Sequence, residues 1–332
     1  MQNSRRHFLR TTVAAMVARV VPAFAKASAA TPNALGRESK LATQSDGKRA
    51  ASGYRSLFDG KTLTGWHAVA RIGVPKSISL ADTPPDQLRQ IVMADAEKKA
   101  VTPAQKARVH HTGHWEAVDG VLTGGREPAD SGFGAYLMTD EVFGEFELEL
   151  DARPDWPADT GVLIREHELG SIGFQINVDH RPDGAMGGVF GNGIGSFRAA
   201  PFSINADELP GFRIANLREG GPEPQFPIPK MNYAATFADF KRVWRLNDWN
   251  HFRIRCVGAE LPLITTWING AKMCELDTAT ITTKNFDPNL TRRLLGKKGH
   301  IGFEVHDIAG MGRARWAPGA VCRWKNIRIK EI

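Results

Sequence analysis

The residues best suited to chemistry in this 332-residue chain fall in two short alternating runs. In the first, Gln175, Asn177 and Asp179 alternate with Ile172, Phe174, Ile176 and Val178. A strand would project the polar set from one face at about 6.6 Å intervals, given a rise of roughly 3.3 Å per residue. A solvated strand face ordinarily carries Lys, Glu, Thr or Ser. Short directional hydrogen-bonding groups instead suit the hydroxyls of a sugar, with a buried polar ladder between strands as the structural alternative. In the second run Glu304 and His306 stand two apart, opposite Ile301, Phe303 and Val305. That spacing suits a base with its orienting carboxylate, or metal ligation, and a hydrogen-bonded core histidine is the alternative. Glu166, His167 and Glu168 lie close to Arg165, and periodicity does not say which of them points inward.

Other chemistries are excluded by what is missing. No Ser or Cys sits in a nucleophile elbow. The glycine-rich run from Gly184 to Gly195 lacks the following helix and the βαβ context of a dinucleotide site, and reads better as a flexible groove wall. Cys256, Cys274 and Cys322 are too few and too separated for a disulfide framework or a zinc site, and their apolar surroundings predict buried thiols.

The elements that must hold these residues are strands. Phe146, Leu148, Leu150 and Ala152 alternate with four acids, and Leu263–Ile268 and Ala271–Leu276 flank Asn269-Gly270, a type I′ hairpin signal. The chain ends on a further strand, Cys322–Ile329, and 33 Gly with 19 Pro imply many turns. The expected class is therefore all-β, a sandwich or barrel of antiparallel strands. Two segments break the pattern. One is helix-favouring, with helical residues over 83–109 inside an insertion of about 70–113, and the other, 197–248, is Pro-rich, aromatic-rich and long enough to suggest a lid.

The net charge of +7 would suggest a nucleic-acid partner if it belonged to the folded domain. Residues 1–30 hold five Lys and Arg and no acid, so the remainder carries only +2 and no nucleic acid is expected. Arg5-Arg6 before Phe8-Leu9, a weakly apolar stretch and small-residue sites such as Ala23-Phe24-Ala25 resemble a twin-arginine export signal. That resemblance implies the twin-arginine machinery as a partner, a periplasmic or secreted location, and no membrane contact after signal removal. Residues 31–52 read as a linker.

Eight motifs in order carry a further resemblance. They are Tyr54-Arg-Ser-Leu-Phe-Asp-Gly-Lys-Thr-Leu-Thr-Gly-Trp66, Trp115–Leu122, Phe146–Leu150, Thr160-Gly-Val-Leu-Ile-Arg165, Trp249-Asn250, Trp267–Gly270, Gly299–His306 and Trp324–Glu331. Together they resemble the 3-keto-disaccharide hydrolase family over residues 53–332, the two insertions apart. The resemblance implies a concanavalin A-like jelly roll with a groove on its concave sheet, and a substrate already oxidised at carbon 3 of a sugar. A ketone there acidifies the carbon 2 proton, so a base can remove it, the carbon 1 substituent can leave, and water can then add. The implied roles are His306 or Asp179 as base, and Arg165 or a bound divalent cation as enolate stabiliser. His180 would be an acid, while Gln175 and Asn177 orient the sugar beside Glu304. The chain departs from the family where Gln175-x-Asn177 replaces a common Glu-x-Gln pair. A lectin-like binding protein and a conventional two-carboxylate glycosidase are the competing functions.

Overall fold

Alternating patterns become strands wherever they occur. The computed structural model describes residues 53–126, 132–181, 184–204, 226–307, 309–310 and 313–332. The export segment, the 31–52 linker and residues 205–225 of the second insertion lie outside them. In chain order the elements begin with β1 (Arg55–Ser56), β2 (Trp66–Ala70), α1 (Pro85–Lys99), α2 (Pro103–His110), β3 (His114–Val118), β4 (Val121–Gly125), β5 (Ala135–Thr139) and β6 (Phe146–Pro154). Next come β7 (Thr160–Glu166), β8 (Gly173–Val178), β9 (Met186–Asn192), β10 (Arg198–Ala199), β11 (Tyr233–Ala234) and α3 (Phe237–Val243). The chain closes with β12 (Asn250–Val257), β13 (Leu263–Ile268), β14 (Ala271–Asp277), α4 (Pro288–Leu295), β15 (His300–Val305), the β16 (Ala309–Gly310) and β17 (Arg313–Ala314) pair, and β18 (Cys322–Glu331).

Among the described residues these strands form two large antiparallel sheets. One runs β11-β14-β13-β12-β6-β18-β4-β3 with β1 beside β18, and the other runs β10-β9-β8-β7-β15-β5-β2. Their inner faces meet through aromatic stacking: Trp324 of β18 lies 4.6 Å from Phe303 of β15, and Phe303 lies 5.6 Å from Trp66 of β2. Ring pairs at such distances add about 0.5–1.5 kcal/mol each beyond the burial of their area. The expected alternation holds in β8, where Phe174, Ile176 and Val178 are fully buried in the core. The Asn269-Gly270 turn has φ of 48° and 84°, as the hairpin signal requires. All three cysteines are free and buried.

The first insertion is two helices. Thr102 caps α2 through a reciprocal box with Gln105, and Pro103 starts it. Leu88 and Val92 of α1 are fully buried, Arg89 donates to the Glu168 carbonyl at 2.7 Å, and His167 Nε2 donates to the Pro85 carbonyl at 2.8 Å. These contacts fasten the insertion beside the β7–β8 turn.

Two expectations are corrected here. Residues 205–225 of the expected lid lie outside the described residues, and the aromatic cluster of its described part, Phe202, Phe240 and Trp244, does not line a groove. Phe202 stacks on Phe240 at 5.0 Å, Phe240 on Trp244 at 5.5 Å, and Trp244 meets Phe252 of β12, so they enlarge the core. The glycine-rich run does reach a cleft, through Asn192 and Gly193, but its glycines on β9 serve packing rather than flexibility. Methyl groups at Gly187 and Gly191 would stand 2.8 Å from Met273 and 2.3 Å from Phe197, so these glycines exist for close packing of β9.

Candidate active site

The outer face of the seven-stranded sheet carries the polar groups. Gln175 on β8 reaches across β7 to Glu304 on β15, donating from Nε2 to Oε2 at 2.5 Å. The intervening position on β7 is Gly161, where a methyl would stand 2.4 Å from Gln175 Nε2. Glycine is therefore what lets an amide cross one strand to reach the next. The second Glu304 oxygen accepts from Arg71 Nε at 2.8 Å. Arg71 follows the end of β2 and spreads its fork over three partners. Its Nη1 donates to Asp307 Oδ2 at 3.0 Å, and its Nη2 faces His306 Nε2 at 3.2 Å. The Asp307 carbonyl accepts from His306 Nδ1 at 3.3 Å, which leaves Nε2 as the lone-pair nitrogen.

Beyond His306 the network continues. Asp159 Oδ2 stands 4.0 Å from His306 Nε2 and pairs with Arg181 at 2.9 Å and Arg315 at 2.5 Å. Arg181 also grips Asp179 in a two-pronged pair, both contacts being 2.7 Å. A polar path thus runs from Gln175 through Glu304, Arg71, His306, Asp159 and Arg181 to Asp179.

Burial sets the charge states. It pushes Glu304 above the ordinary carboxylate range, against the pull of Arg71, yet both oxygens accept hydrogen bonds, so the ionised form is the one this geometry holds. Burial opposes charge on Arg71 too, but Tyr136, Glu304 and Asp307 outweigh it and keep the guanidinium protonated. Asp159 lies below the usual range because Arg181 and Arg315 overcome its desolvation. Burial, with Arg71 and Arg315 nearby, drives His306 well below the ordinary imidazole value, so it is neutral at pH 7.

A cleft of about 400 Å³ opens between this face and the first insertion, and Arg71 is the member of the network that lines it. Arg71, Tyr136, Ser171 and Asn192 form its sheet side, and Val74 and Ile78 part of the opposite wall. Asn192 hydrogen-bonds Tyr136. Glu166 lies buried next to this floor. It accepts from the Ile172 amide at 2.7 Å, its Oε2 has no partner, and Gly173 leaves the space it occupies. Burial raises its pKa well above the normal range.

The structure therefore brings Gln175, Glu304, His306 and Asp179 into one network and leaves the other candidates apart. Arg165 does not join this network. It has a positive φ of 52° at the β7 bulge, and its guanidinium serves the carbonyls of Gly144, Ala259 and Gly296. His180 is buried between the rings of Trp156 and Trp244, 4.8 and 5.7 Å away, and desolvation holds it near 4, so at pH 7 it is a neutral imidazole and not the acid expected. Asp179 is committed to Arg181 and cannot accept a proton without breaking that pair. Asn177 lies on the expected face, half-buried, with its Oδ1 unpartnered. Of the three residues beside Arg165, Glu166 points inward, His167 anchors α1 and Glu168 is exposed. Sequence reasoning missed Arg71, Asp159, Arg181, Asp307 and Arg315. Asp307, adjacent to His306, and Arg71, a lone cation after an apolar strand, were the available signals. Among the described residues no group of three or more His, Cys, Asp or Glu is arranged to hold a metal ion.

Comparison with known proteins gives this geometry a setting. The model of the 3-keto-alpha-glucoside-1,2-lyase-like domain matches residues 53–330, and the chain belongs to that family. Similar solved structures include a provisionally assigned glycosyl hydrolase of Parabacteroides distasonis ATCC 8503, 13% identical, with a TM-score of 0.41 over 86% of this chain and 96% of that one. A carbohydrate binding module, CBM66 of Bacillus subtilis, is 12% identical, with a TM-score of 0.38 over 66% and 92% of the two chains. A beta-1,3-1,4-glucanase from a mouse hindgut metagenome is 10% identical, with a TM-score of 0.34 over 65% and 82%. No curated protein matches the chain.

Proposed function

We propose that this member of the 3-keto-alpha-glucoside-1,2-lyase-like family cleaves the glycosidic bond of sugars oxidised at carbon 3, by elimination followed by hydration. The observation that carries this reading is the 3.2 Å approach of Arg71 Nη2 to His306 Nε2. A 3-keto sugar presents its carbonyl oxygen and its acidic carbon 2 hydrogen on adjacent atoms. A cation and a lone-pair nitrogen side by side match that pair.

In this mechanism the sugar's ketone takes the Arg71 guanidinium, and His306 Nε2 accepts the carbon 2 proton. The C–H electron pair moves into the enolate, whose oxygen is stabilised by a charge already in place. Asp159, 4.0 Å away, balances the imidazolium. The electrons then return to form the carbon 1–carbon 2 double bond as the carbon 1–oxygen bond breaks. An imidazolium as weakly basic as His306 gives up its proton readily, so the same residue delivers it to the departing oxygen. Water adds across the double bond, and the net result is hydrolysis. Arg71 takes the role that sequence reasoning gave to Arg165, and Glu304 and Gln175 act as positioning residues that hold the Arg71 fork. Glu304 is 1% exposed, which places it beneath the ligand surface. The twin-arginine signal supports export to the periplasm before this work is done.

The test is turnover of a 3-keto-glucoside and its parent glucoside in D2O. Elimination and hydration release aglycone from the keto form alone and leave deuterium at carbon 2, beyond what the product acquires by itself. Release without that label would refute the mechanism, and binding without release would identify a lectin. His306→Ala should lower turnover by about 10²–10⁴-fold, the range of a positioned acid or base. Arg71→Lys, which cannot span three partners, should cost about 10²–10³-fold.

A further inference from the structure

We infer that the cleft selects glycosides whose leaving group carries an anionic substituent, held by Lys76 and Arg108. The inference rests on the 3-keto-glycoside reading for the reacting sugar, and concerns the other half of the substrate. Three cations line the cleft, Arg71 from the sheet and Lys76 and Arg108 from the insertion, and among the described residues no acid lines it. Arg71 is already paired with Glu304 and Asp307, and in the proposed reaction its remaining capacity goes to the sugar's ketone. Arg108 has only a distant share of Asp307, at 3.7 Å, because that carboxylate already serves Arg71 at 3.0 Å and the Gly134 amide at 2.6 Å. Lys76 is exposed and has no ion-pair partner among the described residues. From the insertion side, Lys76 therefore brings to the cleft a charge unpaired among the described residues, and Arg108 a weakly paired one. Val74, Pro75 and Ile78 line the same cleft and offer apolar contact to the carbon skeleton of an aglycone. A carboxylate or phosphate on the aglycone satisfies both cations at once, and a neutral aglycone satisfies neither.

The experiment compares the 3-keto-glucosides of 4-hydroxybenzoate and of its neutral counterpart 4-(hydroxymethyl)phenol, and of a phosphorylated phenol, on the full exported chain. The expected result is a lower KM for an anionic substrate, with the better of the carboxylate and phosphate forms naming the group. Lys76→Gln and Arg108→Gln should each reduce the preference about 3- to 5-fold through KM, as an exposed charge pair allows, and 0.5 M salt should weaken it. Equal KM values for charged and neutral forms, or variants that leave the preference intact, would overturn the inference. If no 3-keto-glucoside is turned over, the reaction proposal fails while the anion site is still read by calorimetry with unoxidised 4-hydroxybenzoate glucoside. Binding that Lys76→Gln weakens sustains the site, and no binding, or binding indifferent to the variant, removes it.

Discussion

Gly161→Ala tests whether an amide crossing a strand builds the site. The added methyl would lie 2.4 Å from Gln175 Nε2, 2.6 Å from its Cγ and 2.8 Å from its Cδ, all inside normal contact distance. Gly161 does not adopt a positive φ, so alanine meets no backbone penalty and regains a few tenths of a kcal/mol of strand preference. Gln175 must therefore move. Glu304 then loses its 2.5 Å donor, a bond to a buried charge worth about 1.5–3 kcal/mol, and the displaced side chain adds about 0.5–1.5 kcal/mol of rotamer strain. The net destabilisation should be about 2–4 kcal/mol, or roughly 4–16 °C in Tm for a domain of this size. Gln175→Ala loses the same bond without the clash. Adding Gly161→Ala to Gln175→Ala should then be neutral or slightly stabilising, giving a coupling of about 2 kcal/mol between the two positions. Urea unfolding of the four proteins measures it. Additivity within about 0.5 kcal/mol would show that Gln175 does not depend on the missing side chain and would refute the crossing geometry.

Three further outcomes are expected of the same fold. Arg165→Met should lower stability by about 2–4 kcal/mol, because the carbonyls of Gly144, Ala259 and Gly296 lose their donor, while turnover per folded molecule stays within about twofold; a selective loss of turnover would return Arg165 to the site. His180 titrates near 4 in the folded protein against 6.5 when free, so the unfolded chain takes the proton first, and stability present above about pH 6.5 falls by about 3 kcal/mol on acidification to 4. Glu166, raised by burial, works in the opposite sense, losing stability as pH rises above its unfolded value, so the test compares the pH 7-to-5 change in Tm between parent and His180→Phe. Equal changes would show that the buried imidazole is not the titrating group. Replacing Arg5 and Arg6 by Lys should retain the chain in the cytoplasm, and undiminished periplasmic yield would discard the twin-arginine signal.

Sequence was legible wherever a local period encodes structure. The core faces of β6, β8 and β15 can be read from alternation alone, because a strand's side chains change sides at every residue. The Asn269-Gly270 turn can be read from the positive φ it requires. Arg165 was placed on the site's face by the resemblance of Thr160–Arg165 to the family motif, and alternation could not have corrected it. Strict alternation along Thr160–Glu166 ignores a bulge, and one inserted residue reverses the face of every later position in the strand. The register shift between His300 and Gly302 has no sequence signature, and only the structure marks it, by the positive φ of Arg165.

The pairing of Arg71 with His306 was illegible for a different reason. Residues 71 and 306 lie at opposite ends of the domain's sequence, and nothing local links them. They meet because the sheet order places β5 between β2 and β15, so that the residue leaving β2 and the residue leaving β15 emerge at neighbouring points on one edge. Once there, chemistry restricts the choice. A buried carboxylate such as Glu304 needs a fixed cation, and a guanidinium that supplies it through Nε keeps Nη1 and Nη2 for other partners. Lysine could neutralise Glu304 but could not also meet Asp307 and His306. The site therefore depends on three decisions made far apart in the chain: a glycine on β7, an arginine after β2 and a histidine after β15. Substituting any one should weaken the other two, because each fixes the position of the next across the sheet.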